Sequence, residues 1–229
     1  MTPQQRVLLL VGSAKRPRST SESLGNYLLE RLGNRGFATQ KLFLYRAMGS
    51  ADGCKALLAE VDHADILILA FPLFVDSLPA LVIRTLEAIA QHRQTDGNLR
   101  KARVLAIVNS GFPEAHQNDT ALAICRRFAK EVGFDWAGGL ALGGGETIDG
   151  QSLTSVKLLA RNVIRALDLT ADSLARRETA PQEAVSLMAK PLLPTWLYIL
   201  LGEIRWRWRS RKHHVEHQLD ARPYEGAHV

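Results

Sequence analysis

Residues 64–87, ADILILAFPLFVDSLPALVIRTLE, decide how this chain folds. Asp65–Phe71 (DILILAF) is a continuous apolar run of strand length, the pattern of a strand covered on both faces. Pro72 ends it abruptly, because proline has no N–H to give to a sheet ladder. Asp76 or Ser77 can then cap a helix, with Pro79 tolerated in its first turn and Leu81, Ile83, Leu86 and Ile89 following. The stretch is one strand–loop–helix unit.

The same unit recurs in both directions. Arg6–Val11 (RVLLLV) is a second short apolar run, and Leu24, Leu28 and Leu32 keep helical spacing from about Ser21 to Asn34, where Gly33 and Gly36 mark a stop. Thr39–Tyr45 reads as a strand and Ala51–Val61 as a weaker helix. Arg103–Asn109 (RVLAIVN) is a strand, and Asn118 or Asp119 caps a helix continuing to about Gly133. Trp136–Leu142 is a fifth strand, running into Gly143-Gly144-Gly145, and Ser152–Leu169 is the last helix. Strands alternating with helices imply a parallel sheet with right-handed crossovers, for which the doubly wound order 2-1-3-4-5 is the commonest choice. Ligands bind such sheets outside the carboxyl ends of the strands, so chemistry belongs in the loops after Val11, Phe71 and Asn109.

Composition sets the frame. With 229 residues, 46% apolar and 23% charged, the chain can bury one sizeable core, and we expect an α/β domain over 1–170 followed by a linker and C-terminal helical extension over 171–229. The net charge of +6 favours phosphate-bearing ligands or anionic surfaces without specifying a fold. Cys54 and Cys125 lie far apart and outside any C-x-x-C, so neither a disulfide framework nor a cysteine-held iron–sulfur cluster is expected. No signal h-region or span-length apolar stretch is evident, and the expectation is a cytoplasmic protein.

The first loop, Gly12-Ser13-Ala14-Lys15-Arg16-Pro17-Arg18-Ser19-Thr20-Ser21, opens a helix with four hydroxyls (Ser13, Ser19, Thr20, Ser21) and three cations. Helix N-termini attract anions, so these residues suit a monophosphate; Ser19 or Ser21 is equally an ordinary helix cap. There is no G-x-x-x-x-G-K-[ST], which excludes an NTPase P-loop, and no G-x-G-x-x-G after the first strand. The second loop, Pro72-Leu73-Phe74-Val75-Asp76, offers apolar surface beside backbone polar groups, which suits a planar heteroaromatic ring or simple packing beneath the next helix. The third, Asn109-Ser110-Gly111-Phe112, places small polar groups and an aromatic at a strand end, and Gly111 permits close approach of a ligand; an ordinary turn reads the same way.

Taken together on neighbouring strands, the three loops resemble the flavodoxin-like NAD(P)H-dependent FMN reductase family. Gly12, Ser13, Lys15, Ser19 and Ser21 match its G-S-x-[RK]…S-x-[ST] phosphate loop, and 64–87 matches its A-D-x-[apolar]…P-x-[YF]-x-x-S-x-P-A segment. The resemblance covers residues 6–170. Lys15 stands where arginine is common, keeping the charge without the bidentate fork, and Phe74 stands where tyrosine is usual. The resemblance implies an FMN-dependent oxidoreductase that takes hydride from NADPH or NADH and passes electrons to a quinone, an aromatic, a free flavin or a metal ion. It implies Ser13, Lys15, Ser19, Thr20 and Ser21 at the phosphate, and residues 72–76 and 109–112 at the ring, with a homodimer completing the ring pocket. The flavin carries the chemistry itself, so no catalytic side chain is nominated. Glu114 and His116, beside the third loop, are proton-relay candidates or solvated loop residues. A non-catalytic electron carrier or scaffold is the alternative; the basic charge and the bulky tail argue against the carrier.

Residues 191–212, PLLPTWLYILLGEIRWRWRSRK, differ in character. Trp196, Ile199, Leu200, Ile204 and Trp208 keep near-helical spacing beside Arg205, Arg209 and Lys212. Such a stripe usually packs on its own domain or across a dimer interface. Weak contact with a membrane surface also fits tryptophan beside arginine. Nucleic acid is not expected, because the basic patch is short and mixed with Glu203 and Glu216. His213 and His217, a helical turn apart, lack further ligands nearby, and no metal site is expected.

Overall fold

The computed structural model describes residues 4–15, 18–95 and 101–221. Its elements run β1 (Arg6–Val11), α1 (Thr20–Gly33), β2 (Ala38–Phe43), α2 (Leu44–Ala47), α3 (Ala51–His63), β3 (Ile66–Pro72), α4 (Ala80–Thr95), β4 (Arg103–Asn109), α5 (Asp119–Glu131), β5 (Asp135–Leu142), α6 (Arg161–Ala175), α7 (Gln182–Met188) and α8 (Thr195–Lys212). All strand pairings are parallel, in the order β2-β1-β3-β4-β5. The order expected from the sequence is the order observed.

Strand periodicity explains the two cores. Successive side chains of a strand leave on opposite faces. Val7, Leu9 and Val11 of β1, with Ile66, Ile68 and Ala70 of β3, enter the layer that α1, α6 and α7 cover. Leu8 and Leu10, with Leu67, Leu69 and Phe71, enter the layer beneath α3, α4 and α5. A run such as ILILAF is therefore apolar at every position because each face has its own helices. At about 1.5–3 kcal/mol for each large side chain fully buried, these two layers dominate the stability.

Several boundaries differ from expectation. β2 stops at Phe43, and Leu44, buried, opens the single turn α2 instead of extending the strand to Tyr45. The last helix of the alternation begins at Arg161, not Ser152, and runs to Ala175. Its expected first turns are occupied by hydroxyl chemistry: the Ser152 side chain accepts from the Thr154 amide at 3.3 Å, and the Ser155 hydroxyl donates to the Ser152 carbonyl at 2.7 Å. Such local bonds offer the backbone an alternative to the helix. At the other end Ala171 and Leu174, both fully buried, continue the apolar face beyond 169.

The compact unit accordingly reaches Leu192, and residues from Leu193 onward form a second unit. Much of 171–192, expected as linker, is packed against the sheet. Ala184 and Met188 of α7 are core residues, and the Ala180 amide bonds the Ala137 carbonyl at 2.8 Å, covering the free edge of β5. Arg103, at the start of β4, bonds the carbonyls of Leu174 and Glu178 and so closes the end of α6. Among the described residues no helix is long and apolar enough to cross a membrane.

The exit of β1 is closely packed. A Cβ at Gly12 would lie 2.4 Å from Val82 Cγ2 and 2.9 Å from Phe71 Cβ, neither of which is a flexible side-chain end. Gly12→Ala should lower the unfolding free energy by about 1–3 kcal/mol in urea titrations, through overpacking. Burial also pushes the Cys125 thiol up to about 12, so it stays protonated. Iodoacetamide at neutral pH should label the partly exposed Cys54 in the native protein and reach Cys125 only after unfolding, as read by peptide mass spectrometry.

Candidate cofactor site at the carboxyl ends of the strands

β1 remains attached to β3 at its exit, where the Gly12 amide donates to the Ala70 carbonyl at 2.8 Å. Beyond it the chain reaches Ser19, the N-cap of α1, whose side chain accepts from the Glu22 amide at 3.1 Å in an extended backbone conformation. The Ser13 hydroxyl oxygen accepts from the Lys15 amide at 3.2 Å. Ser13, Ser19, Thr20 and Ser21 are all buried. Arg16 and Pro17 lie outside the described residues.

The four hydroxyls divide into two pairs. Thr20 donates to the Gly145 carbonyl at 2.8 Å, and Ser21 donates to Asn109 Oδ1 at 2.7 Å. These two hydroxyls tie the start of α1 to the exits of β4 and β5. Among the described residues, Ser13 and Ser19 donate their hydroxyl protons to no partner. At the start of α1 the Glu22 amide is taken by Ser19 Oγ and the Ser23 amide by the Ser19 carbonyl, which leaves the Thr20 and Ser21 amides without an intrahelical acceptor. Two hydroxyls, those amides and the positive end of the helix dipole form an anion cradle. Lys15 pairs with Asp149, which places a cation and a carboxylate together at its rim.

The second loop is a tight hairpin turn. Phe74 and Ser77 exchange backbone bonds at 2.9 and 3.1 Å, with φ of 47° at Val75 and 54° at Asp76. That left-handed pair is a primed turn, which ordinarily selects Asn-Gly. A β-branched valine there costs on the order of 1–3 kcal/mol. The turn presents Phe74 and Val75 to solvent, 65% and 85% exposed. Neither packs beneath the following helix; Leu78, buried, does that instead. Ser77 is spent on this turn, and α4 starts at Ala80 with its first bonds made to the Pro79 carbonyl.

The third loop is fastened on both sides. Pro72 and Asn109 are register partners, and the Leu73 amide donates to the Asn109 carbonyl at 2.8 Å, so the second and third loops are joined at their bases. The Ser110 amide bonds the Leu142 carbonyl, and the Gly144 and Gly145 amides return to the carbonyls of Phe112 and Ser110 at 2.7 and 2.8 Å. Phe112 is exposed on this loop, and a Cβ at Gly111 would lie 3.6 Å from Glu146 Oε1. Glu114 and His116 are both exposed.

Two contributors went unrecognised in the sequence. Asn118, expected as a helix cap, makes no capping bond. Its fully buried amide instead reaches Ser110 Oγ, the Ala115 carbonyl and the Leu142 carbonyl at 3.3, 3.0 and 3.3 Å. Its Oδ1 is buried without a partner. The second is a fourth loop, Gly143–Asp149. A Cβ at Gly143 would fall 2.2 Å from the Pro113 carbonyl oxygen, a backbone-to-backbone approach that admits only glycine. The glycine triplet was the available signal.

The described residues include no group of three or more His, Cys, Asp or Glu able to hold a metal ion. The groups that could hold a cofactor are Ser13, Ser19 and the Thr20 and Ser21 amides for an anion, with Phe74, Val75 and Phe112 on the two joined loops for a planar ring.

The sheet order and a site outside the carboxyl ends of its strands define a flavodoxin-like α/β domain. Solved structures with this fold include an FMN-dependent NADH-azoreductase from Bacillus anthracis str. Ames Ancestor in complex with FMN (16% identity, 75% of this chain and 100% of that one, TM-score 0.56). They include the Trp repressor binding protein from Bacillus subtilis (13% identity, 71% and 95%, TM-score 0.53). A flavodoxin from Streptococcus pneumoniae TIGR4 is a third (16% identity, 75% and 99%, TM-score 0.51). At these identities the likeness is one of fold. No protein-family model and no curated protein matches the sequence.

The Ser21–Asn109 bond gives a direct test of this framework. Asn109→Ala leaves a buried hydroxyl without its acceptor and should cost about 1–3 kcal/mol of unfolding free energy. Combined with Ser21→Ala, the losses should fall short of additivity by at least about 0.5 kcal/mol. Strictly additive losses would mean the two side chains do not interact.

Proposed function

We propose that this chain is an FMN-dependent oxidoreductase that accepts hydride from NADH or NADPH and delivers electrons to a small acceptor. The observation that carries this reading is the anion cradle at the start of α1 joined by hydrogen bonds to two loops bearing exposed aromatic and apolar side chains. FMN, when bound, supplies a ring that takes up hydride and returns electrons singly or in pairs. The chain's own groups then have distinct tasks. The Thr20 and Ser21 amides, the Ser13 and Ser19 hydroxyls and Lys15 hold the phosphate. Residues 72–76 and 109–112 orient the ring, and the Val75, Asp76 and Phe112 N–H groups, which take part in none of the loop-fastening bonds, stabilise charge on its polar edge. Phe74, Val75 and Phe112 exclude water from one side.

The acceptor is a quinone, a nitro- or azo-aromatic, a free flavin or a metal ion, all of which meet the ring at an open apolar rim without a dedicated acid or base. A homodimer belongs to the same reading, since a second subunit would cover the exposed Phe74 and Val75. The flavodoxin and azoreductase neighbours support the flavin as the common element of these alternatives.

The purified protein should be yellow, should release FMN on denaturation, and should bleach anaerobically with NADH or NADPH. Phe74→Ala should weaken FMN binding by about five- to thirtyfold, from loss of stacking area, with the unfolding midpoint of the apoprotein unchanged. Colourless protein that fails to quench added FMN fluorescence would leave a scaffold. Yellow protein inert to both nicotinamides would leave an electron carrier.

A further inference from the structure

The second compact unit, Leu193–Val229, is built on α8, whose composition changes along its axis. Residues 195–204 (TWLYILLGEI) hold one charge, Glu203, whereas residues 205–212 (RWRWRSRK) hold four arginines and a lysine with Trp206 and Trp208 between them. The expected stripe is not formed. At about 100° per residue, Trp196, Leu197, Tyr198 and Ile199 spread around the whole circumference, and Arg207 and Arg211 fall inside the apolar arc. The helix therefore has no apolar face; it has an apolar half followed by a basic, aromatic half.

Within its own unit, most of that apolar half is not covered. Trp196, Ile199, Leu200, Leu201 and Ile204 are 67%, 53%, 46%, 47% and 56% exposed, and Trp206 and Trp208 are 72% and 64% exposed. Three kinds of occupant can be weighed on charge. A nucleic acid satisfies the arginines and leaves the apolar half in water. A second copy in parallel sets five cations against five, and an antiparallel copy sets them against a segment whose one acid is Glu203. An anionic lipid surface satisfies both halves: acyl chains take the apolar residues, headgroups take the arginines, and indole rings favour the level between. Ten helical residues span about 15 Å, half the roughly 30 Å hydrocarbon layer, so the contact involves a single leaflet.

We infer that α8 is an interfacial anchor that docks this chain on an anionic membrane surface, its apolar half among the acyl chains and its arginines at the headgroups. The inference is independent of the flavin reading. The test is sedimentation of the full-length protein with vesicles of phosphatidylcholine, alone or with phosphatidylserine, at low and raised salt. Binding should be at least about tenfold stronger to the anionic vesicles and should fall as salt rises. Tryptophan emission should shift to the blue on binding. Replacing Arg205, Arg207, Arg209 and Arg211 together by glutamine should weaken binding by several hundredfold, at about fivefold per arginine, with the unfolding midpoint unchanged. Protein that stays in the supernatant with anionic vesicles, or that sediments equally with both kinds regardless of salt, overturns the inference. So does a concentration-dependent dimer in vesicle-free solution that Leu200→Asp abolishes, since that would make a second copy the occupant.

Discussion

Two buried hydroxyl groups organise the working end of this domain. Ser21 reaches the Asn109 side chain and Thr20 reaches the Gly145 carbonyl, so the opening turn of α1 is bonded to the exits of β4 and β5. Each such bond contributes only about 0.5–1.5 kcal/mol net, but a buried partner left without it costs more, which makes the arrangement difficult to abandon piecemeal. The geometry that follows is specific. The amides of that turn are held beside the loops after β3 and β4, and any anion they bind is fixed relative to those loops.

The sheet itself was readable because burial on two faces leaves so plain a trace. Ile66–Phe71 and Val104–Val108 are apolar without interruption, and no amphipathic helix has that pattern. Where α6 begins later than its periodicity suggests, the cause is competition between side-chain hydroxyls and the backbone. Ser152 and Thr154 bond each other and their own loop, delaying α6 by nine residues. The hydroxyls of Thr20 and Ser21, counted toward a phosphate because they stand in the right loop, are committed to other strands. Spacing identifies the loop in which a hydroxyl lies. It does not identify which neighbour, distant in sequence, claims its proton.

The fourth loop was hard to see for a related reason. Its contribution is made by backbone, with glycines at 143–145 admitting close approach where a side chain would collide, and absent side chains leave little to read. Asn118 does stand at the N-cap of α5, and because a helix start explains an asparagine so well, its long-range bonds to Ser110 and Leu142 leave no separate trace in the sequence. In α8 a few spacings suggested a stripe, and only the placement of Arg207 and Arg211 on the same arc reveals that polarity runs lengthwise.

The Val75–Asp76 turn has an evolutionary consequence. It is closed by its own pair of backbone bonds between Phe74 and Ser77, and its tip leans on no part of the core. Substitutions at positions 75 and 76 therefore escape the stability threshold that constrains Gly12 or Gly143, and several of them relieve a penalty already present. A lineage can vary this turn at little cost to stability while the strand and helix that carry it stay unchanged, so divergence at its tip should outpace divergence of the scaffold beneath.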